Sequence, residues 1–155
     1  MSGVTRDRQY GKTTWNGKTF NLVDTGGYIG DSEDTFAAAI REQVSIAIDQ
    51  AEIILLMVDV ATGITDLDEQ VADMLHRSKK KVLLVVNKVD NHDRQLDAHE
   101  FWTLGFETMH PVSSVTGSGT GDLLDSVVEL LPEVEEVEDD RPKIAIIGRP
   151  NAGKS

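Results

Sequence analysis

The 155-residue chain has no cysteine, which excludes disulfides and thiolate metal sites and fits a cytoplasmic compartment. It has no apolar run near the ~20 residues needed to span a bilayer, so no membrane association is expected. Residues Met1 to Tyr10 contain no apolar stretch of the signal-peptide kind. Basic charge is scarce: 15 Lys and Arg stand against 27 Asp and Glu, a net charge of -12. Such a surface repels phosphate backbones as a whole, so an RNA-containing partner must be met through a local basic patch or through other segments. The one compact basic run, Lys79-Lys80-Lys81, reads as a solvated helix end leading into a strand. The four histidines show no metal-ligand spacing and read as structural or solvated.

The hydrophobic pattern alternates between two periods. Residues 7–15 and 18–23 read as strands joined by Asn16-Gly17, a two-residue hairpin signal because both turn positions need positive φ. From Glu33 to Gln50, Phe36, Ile40, Val44 and Ile48 recur every four residues, one face of a helix. Ile53 to Val60 is a continuous apolar run with Asp59 near its end, as a strand buried on both faces would read. A helix over Asp66–Lys79, a buried strand over 82–86, a weakly patterned helix over 93–104, a short strand over 107–113 and a helix over 121–131 follow. This order predicts an α/β fold with a mostly parallel sheet and helices on both faces. Residues 133–142, EVEEVEDDRP, hold six acids and one Arg next to Pro132 and Pro142 and read as a solvated linker. Lys143 to Ile147 is one more short apolar strand.

The chemistry-bearing residues sit at the ends of these strands. Gly148-x-x-x-x-Gly153-Lys154-Ser155 satisfies the phosphate-loop pattern directly after a predicted strand. Backbone N–H groups of Asn151, Ala152 and Gly153 would line that cradle, Lys154 would face the β and γ oxygens, and the Ser155 hydroxyl would ligate Mg²⁺. Asp24-Thr25-Gly26-Gly27 ends the strand Phe20–Val23; Asp24 could hold the Mg²⁺ shell, and the Gly27 N–H could reach a γ-phosphate. Asn87-Lys88-Val89-Asp90 ends the strand 82–86. A carboxylate such as Asp90 can accept both N1–H and N2–H₂ of guanine, a donor pair adenine lacks. Asn87 would brace this loop and the Lys88 stem would lie over the base. In Val112-Ser113-Ser114-Val115-Thr116-Gly117, a small residue lets a backbone N–H approach guanine O6. Thr5 is a candidate for a switch threonine closing on Mg²⁺ and γ-phosphate.

With these motifs located, GVTRDRQYG, DTGGY, NKVD, SSVTGSG and GRPNAGKS make the chain similar to the bacterial Der/EngA family of tandem-domain GTPases. The resemblance covers essentially the whole chain. It implies a P-loop NTPase fold of the Ras-like G-domain type with its motif order permuted or truncated. It also implies GTP or GDP with Mg²⁺ as ligands, and GTP hydrolysis serving large ribosomal subunit assembly. On that likeness residues 1–132 correspond to a G domain without its own first strand and phosphate loop. Residues 133–142 form the acidic linker, and residues 143–155 supply the strand and phosphate loop of a second domain. In related potassium-stimulated GTPases an Asn in the phosphate loop helps hold K⁺, and Asn151 matches it. Tyr28 stands where other GTPases carry a water-orienting glutamine.

The expected consequence is that Lys143–Gly148 fills the central sheet slot between the strand ending at Asp24 and the strand ending at Asp59. Ten linker residues span at most about 33 Å, enough for the crossing. A domain-swapped dimer would use the same contacts. The alternatives to turnover are a module that binds guanine nucleotide without hydrolysis and a fragment that binds none.

Overall fold

The computed structural model describes residues 9–24, 33–131 and 142–148. The chain opens with β1 (Gln9–Trp15) and β2 (Lys18–Asp24), an antiparallel hairpin whose register closes with Trp15 opposite Lys18. Asn16 and Gly17 adopt φ 50° and 78°, the left-handed pair that this two-residue turn requires. The hairpin is tied to the rest of the molecule by Asp125, whose Oδ1 accepts from Trp15 Nε1 at 2.8 Å and from Asn16 Nδ2 at 3.0 Å.

Then come α1 (Glu33–Gln50), β3 (Ile53–Asp59), α2 (Asp66–Ser78), β4 (Lys81–Asn87), α3 (His92–Ala98) and a 3₁₀ turn (His99–Leu104). β5 (Met109–Pro111), α4 (Thr120–Leu130) and β6 (Lys143–Ile147) complete the order. The six strands form one sheet in the order β1-β2-β6-β3-β4-β5, and every pair except β1·β2 is parallel. β6 therefore lies between β2 and β3 within the same chain, Ile144 opposite Leu22 on one side and Ile53 on the other. Its entry is held from both flanks: Asn21 N–H donates to Pro142 O at 2.9 Å and Glu52 N–H to Lys143 O at 2.9 Å, while the Lys143 N–H donates to the Glu52 carboxylate. These bonds satisfy backbone groups that would otherwise be orphaned in the middle of the sheet.

Alternation along β3, β4 and β6 splits the core into two layers. Ile54, Leu56, Val58, Leu84, Val86, Ala145 and Ile147 face Ile40 and Val44 of α1, Val71 and Leu75 of α2, and Phe101. Ile53, Leu55, Leu83, Val85 and Ile144 face Leu123, Val127 and Val128 of α4, with Phe20 of the hairpin. This is a parallel sheet covered on both faces, and it explains why β3 and β4 read as unbroken apolar runs. Ile144 is fully buried, so Ile144→Ala is expected to lower folding stability by about 2–5 kcal/mol in urea unfolding. A β6 that did not dock would leave the midpoint unchanged.

The helix predicted over 93–104 is in fact two pieces. After Ala98 the chain tightens into the 3₁₀ turn, where Phe101 and Leu104, three residues apart, both reach the core. The strand predicted over 107–113 is regular only over Met109–Pro111, at the sheet edge, where the missing N–H of Pro111 falls on the open side. The lysine run falls where the sequence places it: Lys79 ends α2 in the left-handed conformation, φ 59°, and Lys81 begins β4. α2 starts with a capping box, Thr65 Oγ1 accepting from Asp68 N–H at 3.1 Å and Asp68 Oδ2 from Thr65 N–H at 3.0 Å. His76 has a structural role, its Nε2 lying 2.7 Å from Leu104 O and its ring stacking on Phe106 at 4.4 Å.

Candidate guanine-nucleotide site

Parallel pairing brings the carboxyl ends of β2, β6, β3, β4 and β5 to one edge of the sheet, where ligands of open α/β sheets bind. Asp24 pairs with Ile146, Leu56 with Ile147, Asp59 with Asn87, and Val86 with Pro111. The sequence candidates Asn87, Lys88, Asp90, Ser113 and Ser114 all leave the sheet at this edge. Gly148, buried directly after β6, lies at the same edge.

Two loops are built into one unit there. Val89 N–H donates to Val112 O at 3.0 Å and Val112 N–H to Val86 O at 2.8 Å, extending the β4·β5 ladder past its last strand residue. Asn87 is buried, and its Oδ1 accepts from both the Ser114 N–H at 3.1 Å and the Ser114 hydroxyl at 3.0 Å. Asn87 thus braces the second loop against the first. The Ser114 N–H, one of the groups expected near guanine O6, is directed at Asn87 in this arrangement.

Ser113 is fully buried, and its contribution is larger than that of a merely small residue. Its hydroxyl donates to Asp90 Oδ1 and accepts from the Thr116 N–H at 3.2 Å, while its own N–H donates to Ser118 O at 2.9 Å. Asp90 is exposed, and no residue among those described bonds its second oxygen. One carboxylate oxygen is therefore fixed by protein and the carboxylate edge is presented outward, the form needed to accept two adjacent N–H groups. Lys88 adopts φ 67°, and its side chain reaches the end of β3. There Lys88 Nζ donates to Asp59 Oδ2 at 2.8 Å.

Asp59 is the residue that sequence reasoning left without a role. It was visible as a charge closing an otherwise apolar buried run, but nothing local pairs it with a lysine 29 positions on. Thr5, Gly27, Asn151, Ala152, Gly153, Lys154 and Ser155 lie outside the described residues. Asp24 is placed by its backbone as the last residue of β2, its side chain lying outside that description. The donor set that is described fits a guanine ring: an outward carboxylate, a lysine stem and a serine-rich loop, all ordered by bonds within the protein.

Comparison with known proteins agrees with this reading of the fold. A sequence profile of the MMR_HSR1 family, 50S ribosome-binding GTPase, matches residues 1–88, more than half of the chain. The chain is 56% identical over 156 aligned residues to GTPase Der of Christiangramia forsetii and 52% identical to GTPase Der of Porphyromonas gingivalis. It spans 36% of the length of each of these relatives, while 100% and 99% of the chain itself is covered. Among solved structures it superposes on Era in complex with MgGDPNP and nucleotides 1506–1542 of 16S ribosomal RNA. The TM-score is 0.71 at 21% identity, covering 88% of this chain and 48% of that one. Elongation factor SelB of Methanococcus maripaludis, in complex with the GTP analogue GPPNHP, matches at TM-score 0.61 and 19% identity, over 84% and 29% of the two chains. At these identities the structural matches establish the P-loop G-domain fold.

Proposed function

Since this chain belongs to the 50S ribosome-binding GTPase family, we propose that it binds guanine nucleotide at the carboxyl edge of its sheet and hydrolyses GTP there. The observation that carries the proposal is the Asp90 carboxylate, fixed by the Ser113 hydroxyl, with no partner on its other oxygen among the described residues. Asp90 accepts N1–H and N2–H₂ of guanine, the Lys88 stem covers the base, and O6 faces the loop of Ser113 and Ser114, where the Ser114 N–H would turn from Asn87 to meet it. Adenine, with no such donor pair, would leave the carboxylate unpaired.

The phosphates follow from the same topology. The place of β6 between β2 and β3 supports a phosphate cradle formed by Asn151, Ala152, Gly153 and Lys154, with Lys154 against the β and γ oxygens. Ser155, Asp24 and Thr5 would hold Mg²⁺, which would neutralise charge on the β and γ phosphates, and Asn151 would be the K⁺ ligand. Thr5 and the Gly27 N–H orient the γ-phosphate. Tyr28 cannot place water as a glutamine amide would, so positioning by the phosphate loop carries more of the catalysis. In this reading residues 1–132 form a G domain completed by the strand and phosphate loop of residues 143–155 across the linker 133–142. Its service is to large-subunit assembly.

The test is equilibrium binding of mant-GDP to the whole chain, with phosphate release measured in K⁺ and in Na⁺. Wild type is expected to bind GDP in preference to ADP. Lys154→Ala should weaken binding by about tenfold to a hundredfold, the range for a lost charge-assisted contact. Equal affinity for ADP, or no loss in Lys154→Ala, would refute the proposal. Binding without phosphate release in either salt would leave a nucleotide-holding module in place of an enzyme.

A further inference from the structure

Asp59 sits at the last position of β3, 3% exposed, in register with Asn87 of β4. A carboxylate in that place is costly unless its lone pairs are met, and both oxygens are: Oδ1 by the Ala61 N–H at 2.8 Å and Oδ2 by Lys88 Nζ at 2.8 Å. The pair is one-sided, for the Lys88 side chain keeps 42% of its exposure against 4% for Asp59. The lysine head is thus anchored on a buried carboxylate while much of its side chain stays exposed. The adjoining backbone is fixed too, with Val60 N–H donating to Asn87 O at 3.1 Å and Lys88 held at φ 67°.

We propose that Asp59 is a positioning residue for guanine-nucleotide binding: it holds Lys88 Nζ so that the lysine stem already lies flat where the base will stack. The inference rests on the guanine reading above and names the residue that prepares one of its contacts. A free lysine has four rotatable stem bonds and must lose their freedom when a ring is laid against it; a lysine tethered at its head has lost much of that freedom before the nucleotide arrives. The base then binds a surface instead of ordering one. Asp59 acts through Lys88 and touches no part of the nucleotide.

The experiment is a double-mutant cycle on the full chain, with mant-GDP affinity measured for wild type, Asp59→Asn, Lys88→Met and the double variant. Circular dichroism and thermal melting without nucleotide fix a temperature at which all four are folded. Asp59→Asn is expected to weaken GDP binding about tenfold in the wild-type background and less than twofold in the Lys88→Met background. A purely structural aspartate would lower the melting temperature and shift GDP affinity equally in both backgrounds. That additive result, or unchanged affinity in Asp59→Asn, overturns the proposal. If Asp59→Asn does not fold, Asp59→Glu, which keeps the charge but displaces Lys88 Nζ by one methylene, takes its place in the cycle with the same two outcomes. A wild-type chain that binds no GDP would overturn the guanine reading and this inference together; additive losses in a chain that does bind would overturn this inference alone.

Discussion

Replacing Asp90 by Asn should cost about a hundredfold in GDP affinity and move the preference to a xanthine nucleotide. The carboxylate offers two acceptors to two guanine donors. An amide offers one acceptor and one donor, so either N1–H or N2–H₂ would meet another N–H. Losing a charge-assisted hydrogen bond and leaving a polar group unpaired amounts to about 3 kcal/mol, which is roughly the hundredfold quoted. Xanthine carries a carbonyl where guanine carries the 2-amino group, so it accepts from the new amide and restores both bonds. The Ser113 hydroxyl can still donate to the retained side-chain oxygen, and Asp90 is exposed, so the fold should be unaffected. Parallel titrations with fluorescent GDP and XDP, beside a melting curve, check all three parts. A variant that loses both nucleotides equally would mean that Asp90 orders the loop without reading the base.

The second large effect is on folding. Gly119 caps the start of α4 at φ 79°, and a Cβ there would lie 2.2 Å from the Pro111 carbonyl oxygen and 3.3 Å from Val112 Cα. The obstacle is backbone at the end of β5, not a side chain that could swing away. Gly119→Ala therefore combines the left-handed penalty of about 1–2 kcal/mol with overpacking of about 1–3 kcal/mol. A fall in melting temperature of about 10 °C is expected, at roughly 2–4 °C per kcal/mol for a chain of this size. Gly117 is the control. It has the same φ of 79° but nothing within 4 Å of an added Cβ, so Gly117→Ala should show the backbone penalty alone. Because Ser113 bonds Ser118 in this loop, displacing Gly119 should also weaken GDP binding, whereas the Gly117 variant should retain most of it.

The contrast between these two glycines shows where sequence reading stops. Both fall in a Ser/Thr/Gly stretch that reads as a loop, and only the sheet register shows that one of them abuts the Pro111 carbonyl. Features set by local chemistry were legible. Asn16-Gly17 demanded its turn, and the runs ending in Asp59 and Asn87 had to be strands buried on two faces. Lys143–Ile147 had the apolar character that its place between β2 and β3 requires. Features set by distant contacts were less legible. The break at His99 came from Phe101 and Leu104 reaching the core at a spacing of three, which a helix period of 3.6 obscures. In the site, the tetrapeptide from Asn87 to Asp90 pointed to the base reader proposed here. Its supports, Ser113 through a hydroxyl and Asp59 through an ion pair, depend on which strand ends become neighbours, and no spacing in the sequence encodes that.

That the strand after the acidic linker and the loops after β4 and β5 make one site in one chain is tested most directly by amide NMR during titration with GDP and with ADP. GDP should shift the amides of Asp90, Ser113 and Ser114 and those of Gly153 and Lys154 along one common binding curve, with ADP producing no such joint response. If GDP moves only one of the two groups, or the two follow different curves, the base reader and the phosphate loop do not meet around the same nucleotide.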